Sequence, residues 1–257
     1  MHTLEFLLLA YLLVFFPVWE LIHSGSVRQR LQSDPTGKVP LYRTICLQLW
    51  APTILLVTLY VSGLLSVPEI PLLIPVDIAQ GIALAGLLAV VVYLAISLHR
   101  VAHDPDTRQQ TADALRDQAW ALPVNRREAV WFIGPVSLSA GICEELLFRA
   151  YLIPWLDHAL PIWGAVILSS VLFGLLHAYQ GPTGILRTGA VGLVLALIFV
   201  ATGSILVPIL LHIVVDAYTG TLSWITLRND DEEQPMRPEP EGAGSAAIAA
   251  ADSAGEI

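Results

Sequence analysis

Seven stretches of the chain are long and almost continuously apolar: residues 4–22, 45–66, 79–99, 131–156, 161–180, 185–202 and 205–226. Each approaches the roughly 20 residues that a helix needs to cross a bilayer. Alternation of apolar and polar positions, the mark of a membrane barrel strand, is missing from them. The pattern predicts an all-α, polytopic transmembrane helical bundle of about seven spans. The first window has no basic flank and no small-residue cleavage site, so it reads as a retained span and not as a signal peptide.

Between the windows, polar residues are distributed unevenly. The segment 23–44 holds Arg28, Arg30, Lys38 and Arg43, and the segment 100–127 holds Arg100, Arg108, Arg116, Arg126 and Arg127. Arg187 separates the fifth and sixth windows, and Arg228 and Arg237 follow the seventh. The alternate connections carry no basic residue. The positive-inside rule then predicts an outer N-terminus and a cytosolic C-terminus. Residues 101–130 mix charges with apolar positions and read as cytosolic or interfacial helix. Residues 229–257 are acidic, then rich in Ala, Gly and Pro, and read as a disordered tail. The predicted organisation is an N-terminal transmembrane region over 1–127, a second transmembrane domain over 128–228, and the tail.

Composition strengthens this picture. The 257 residues are 55% apolar and only 14% charged, against about 25% charged in soluble domains. Most of the net charge of -9 comes from the tail, which holds eight of the 22 acids. No basic patch interleaved with aromatics is present, so nucleic acid is not an expected partner. One lysine against twelve arginines suits a GC-rich bacterial genome, and hence a bacterial inner membrane. Cys46 and Cys143 lie in apolar runs, without zinc-type spacing, and read as packing residues.

A charge at the bilayer centre costs about 2.5–3.5 kcal/mol or more, and intramembrane ionisable residues are functional by default. Six lie well inside the windows: Glu144, Glu145, Arg149, His177, His212 and Asp216. All fall in the fourth, fifth and seventh. Glu145 and Arg149 are four apart and share a helix face; Glu144 points about 100° away. His212 and Asp216 are also four apart. The bland alternative, a structural ion network, suits Glu145 with Arg149 better than it suits Glu144. His99 and His103 have the same spacing at an interface, and no H-E-x-x-H motif occurs. A carboxylate and two histidines in a dry site can activate water, hold a metal that does so, or relay protons.

Glu144-Glu145-x-x-x-Arg149, Phe173-x-x-x-His177 and His212-x-x-x-Asp216, in that order on three helices, resemble the CPBP family. This group contains the type II CAAX prenyl endopeptidases and bacterial bacteriocin-processing or immunity relatives. The resemblance covers roughly 128–226. It implies an intramembrane protease that acts on a membrane-embedded or lipidated peptide. Glu144 would be the base on water and His177 its helper. His212 and Asp216 would form the oxyanion site, with Glu145 and Arg149 in support. In a metalloenzyme scheme Glu144, His177 and His212 would instead ligate Zn2+. Ala150 departs from the glycine common after the arginine. Asp216 replaces the asparagine of eukaryotic relatives, and a carboxyl group donates a hydrogen bond only when protonated. A transporter and a non-catalytic immunity or scaffold protein are the competing readings.

Depth along the helices poses a geometric demand. His177 is roughly 24 Å from the start of its window and His212 about 10 Å from the start of its own, at 1.5 Å per residue. The two can meet only if the spans are offset, tilted or broken. Pro161, Gly164, Gly174, Gly203 and Pro208 offer such places, and Pro135 lets the fourth span begin late.

Overall fold

The computed structural model describes residues 3–65 and 78–228. The described residues form helices and short connections, with no strand among them. Among the described residues, six helices are long and apolar enough to cross a membrane: α1 (Thr3–Ser33), α2 (Lys38–Val61), α3 (Ile78–His103), α5 (Arg126–Asp157), α7 (Ala178–Thr202) and α8 (Leu206–Leu227). A polar helix, α4 (Pro105–Leu115), follows α3, and a shorter apolar helix, α6 (Ile162–Leu175), links α5 to α7. In lipid a helix satisfies its own backbone polar groups, which is why apolar runs of this length take no other form. The tail expected over 229–257 lies outside the described residues, as does most of the connection near 67–78.

Two boundaries differ from the sequence reading. α1 continues eleven residues past Ile22 to Ser33, through a stretch expected to be a loop. Hydropathy marks where lipid ends, and nothing between His23 and Ser33 except Gly25 opposes helix. The fifth window shortens to the 14 residues of α6. Its remainder becomes a turn at Leu176 and His177, followed by a 3-10 turn, Ala178–Gln180, that opens α7.

Several of the prolines in the spans are met by widened turns. A π-helical stretch over Tyr11–Phe15 precedes Pro17, and another over Phe132–Val136 contains Pro135. Proline has no N–H and crowds the carbonyl four residues back, a conflict that a wider turn relieves. A third π-helical stretch, Glu145–Leu152, precedes Pro154 in the same way and carries Glu145 and Arg149.

The core lies where α1, α5, α6 and α7 meet. Leu8, Leu12, Phe148, Tyr151, Val166, Phe173 and Ala196 are buried there together. Large apolar side chains such as Ile82, Leu88 and Tyr93 on α3 point outward, as expected of a surface solvated by lipid. The non-helical strap 119–125, between α4 and α5, is tied down firmly. Lys38 Nζ donates to Ala119 O (2.9 Å) and Leu122 O (2.8 Å), and Tyr42 Oη donates to Ala121 O at 2.8 Å. Lys38 is only 3% exposed and lies 3.6 Å from Glu128 Oε2, itself fixed by Val124 N–H and Asn125 Nδ2.

Candidate active site

The depth problem is resolved at Phe173. His177 lies fifteen residues beyond Ile162, about 22 Å, and His212 six beyond Leu206, about 9 Å. Yet the Phe173 ring is 5.2 Å from the ring of His177 and 5.9 Å from that of His212. The two histidines thus meet around Phe173 although they stand at different distances from the starts of α6 and α8. The first two turns of α8 face Gly141 of α5. A Cβ on Gly141 would stand 3.0 Å from Ile213 N and 3.2 Å from Ile209 O. That close approach of two backbones sets α8 beside Glu144.

The two neighbouring glutamates reach opposite edges of one imidazole. Glu145 Oε1 lies 2.8 Å from His212 Nδ1, and Glu144 Oε2 lies 3.8 Å from His212 Nε2. Asp216 Oδ2 also approaches Nε2, at 3.6 Å. Arg149 Nη1 donates to Glu145 Oε1 at 2.8 Å, and Nη2 donates to Gly192 O on α7 at 3.0 Å. The Arg149 guanidinium lies over the Phe173 ring, 4.2 Å from its centre, a cation–π contact that adds to its fixation. A side chain at position 192 would collide with Phe173, so glycine is what admits Arg149 to α7.

Oε2 of Glu145 and Oε2 of Glu144 are both without a hydrogen-bond partner among the described residues, but the two groups differ in what else holds them. Glu145 is fully buried and serves both Arg149 and His212. Glu144 is 9% exposed, and its Oε2 accepts no hydrogen bond among the described residues. A buried carboxylate oxygen without a donor costs free energy, the cost expected where a group awaits a reactant.

His177 stands at the turn after α6, where its Nδ1 is 3.0 Å from Phe173 O. A carbonyl only accepts, so Nδ1 carries the proton and Nε2 keeps its lone pair. The structure thus joins Glu144, Glu145, Arg149, His212 and Asp216 into one linked set, with His177 adjoining through Phe173. Among the described residues, no three His, Cys, Asp or Glu side chains are grouped so as to hold a metal ion. The zinc set Glu144, His177 and His212 does not fit together in this arrangement, and the chemistry derived below uses the chain's own side chains.

Two neighbours escaped the sequence reading. The ring of Tyr179 lies 5.7 Å from that of His177, and Trp120 of the strap meets Tyr179 edge-on at 6.1 Å. The only sequence signal for Tyr179 was its place two residues after His177. Nothing in the sequence linked Trp120 to it.

The fold and this cluster define an integral membrane protein with a buried ionic site. Residues 126–218, just over a third of the chain, match the family model described as Type II CAAX prenyl endopeptidase Rce1-like. That segment is similar to the CAAX-type intramembrane proteases, and the match falls on the three helices that carry the ionic cluster. Neither a curated protein nor a solved structure matches the chain.

Proposed function

We propose that the chain is a metal-independent intramembrane endopeptidase whose catalytic unit is 128–228 and whose general base is Glu144. The observation that carries this reading is the placement of Glu144, which makes no ion pair with Arg149 and lies 3.8 Å from the Nε2 edge of a histidine whose other nitrogen is bound by Glu145. A water beside Glu144 would donate one hydrogen bond to the carboxylate and one to His177 Nε2. Glu144 takes the proton as the water oxygen attacks the peptide carbonyl. The carbonyl electron pair moves to oxygen, where His212 Nε2–H lies within the site to meet it. The C–N bond then breaks, and Glu144 passes its proton to the leaving amine.

Glu145 and Arg149 do no chemistry in this scheme. They fix the angle of His212 and occupy its Nδ1. Asp216 faces Nε2 of the same ring and favours its protonated form. The substrate class is a membrane-associated peptide, with CAAX-type prenylated peptides as the first to try. Orientation follows the basic residues, with the N-terminus outside and the C-terminus in the cytosol of a bacterial inner membrane.

The test is cleavage of a farnesylated CAAX peptide and a panel of membrane peptides by the full chain in nanodiscs. Wild type is compared with Glu144→Gln and His212→Ala. Cleavage lost in both variants, and insensitive to chelators in wild type, supports the reading. Cleavage untouched by both substitutions removes the assignment of the site. No cleavage on any peptide favours a transporter or an idle scaffold.

A further inference from the structure

The oxyanion site, as the family resemblance composes it, is short of donors here. Asp216 carries a carboxylate where an amide N–H would serve, and an ionised carboxylate only accepts. His212 Nε2 has one hydrogen to offer and stands between two carboxylates, Glu144 at 3.8 Å and Asp216 at 3.6 Å. A developing negative charge placed among those acids needs a second donor that brings no further charge.

Tyr179 fits that requirement. Its hydroxyl oxygen accepts from Gln180 Nε2 at 3.1 Å, which leaves its own hydrogen free to donate. Its ring is clamped between two neighbours, His177 at 5.7 Å and Trp120 at 6.1 Å. Trp120 is held in turn, because the carbonyls on both sides of it are bound by Lys38 and Tyr42. A phenol fixed in this way is oriented before substrate arrives, the condition under which such a donor lowers a barrier most.

We propose that Tyr179, packed beside His177, is a catalytic residue that donates its hydroxyl hydrogen bond to the tetrahedral oxyanion. The inference rests on the hydrolytic reading above. Tyr179 undergoes no net proton transfer in the step. The electron pair moves from the carbonyl π bond to oxygen, is stabilised there, and returns as the C–N bond breaks.

The test is Tyr179→Phe in the full chain in nanodiscs, a change that keeps the ring contacts and removes the hydroxyl. Two probes are used: a farnesylated CAAX peptide, and the same peptide with a trifluoromethyl ketone at the scissile position, which hydrates to a tetrahedral form. Ground-state affinity is read with the intact peptide on Glu144→Gln, with and without Tyr179→Phe. The expected result is a fall in kcat of about a hundredfold, weaker binding of the ketone by a similar factor, and unchanged affinity for the intact peptide. Equal weakening of both probes would make Tyr179 a wall of the pocket and overturn the proposal. So would no change in either. Wild type binding neither probe would defeat the hydrolytic reading and this one together, whereas a cleaving wild type with an unaffected Tyr179→Phe variant would defeat this one alone.

Discussion

Glu145 and His212 are joined by a 2.8 Å hydrogen bond, and the carboxylate oxygen that receives it is the same one that Arg149 reaches at 2.8 Å. One oxygen thus fixes both Arg149 and His212, and both partners of the Glu145–Arg149 ion pair are almost fully buried. Breaking a buried pair by removing one member costs about 3–5 kcal/mol, because the other charge stays behind. Arg149→Met should therefore lower the Tm in detergent markedly. Glu145→Gln with Arg149→Met should cost less than the sum of the two single changes. Additive losses would mean that the pair does not hold in solution.

Glu144 should behave in the opposite way. Its Oε2 has no donor to lose, so Glu144→Gln should abolish cleavage and leave the Tm unchanged or slightly raised. Active-site groups are often held at such a cost to stability. Thermal unfolding of the purified variant checks this, and a loss of several degrees would assign Glu144 a structural role.

Gly141 sets the distance between α5 and α8. Replacing it with valine forces side-chain atoms against Ile213 and the Ile209 carbonyl. Overpacking of this kind costs about 1–3 kcal/mol, and here it would also move Glu144 away from His212. Gly141→Val should lose cleavage by at least tenfold, while the same change at Gly86, where a Cβ meets nothing within 4 Å, should leave it intact.

Lys38 is the anchor of the strap. Lys38→Met removes both of its carbonyl contacts and leaves Glu128 without its cation. The segment 116–125 should then become sensitive to limited proteolysis at Arg116 and Arg126. A digestion pattern identical to that of wild type would show that the strap holds without it.

The ionic cluster was legible because charge in lipid is rare. Counting the costly residues of the apolar windows was enough to single out Glu144, Glu145, Arg149, His177, His212 and Asp216, and five of them form one linked set. How they are arranged was not legible. An ideal helix puts Glu144 about 100° from Glu145. The chain switches to π-helix at Glu145, and Pro154 just beyond that stretch does not by itself tell how the two carboxylates meet His212. The early end of α6 was hidden for a similar reason: Leu175 and Leu176 are as apolar as the turns before them, and tertiary packing decided the reversal. Buried charge in the N-terminal half was also underread. Glu5, at the start of α1 and expected near an end, is 1% exposed, with neither carboxylate oxygen hydrogen-bonded among the described residues. Lys38 and Glu128 pair across 90 residues of sequence, which no local pattern reveals.

The stop at Leu175 has a consequence for how a bond could be presented for cutting. Fourteen helical residues reach about 21 Å, short of the roughly 30 Å of hydrocarbon in a typical bilayer. A helix that short brings its closing turn, and His177 with it, inside the hydrocarbon thickness, and Trp120 of the strap packs against Tyr179 beside that turn. A peptide fastened to the membrane at one end need only dip its free end as far as that turn. It could be trimmed without ever threading through the lipid.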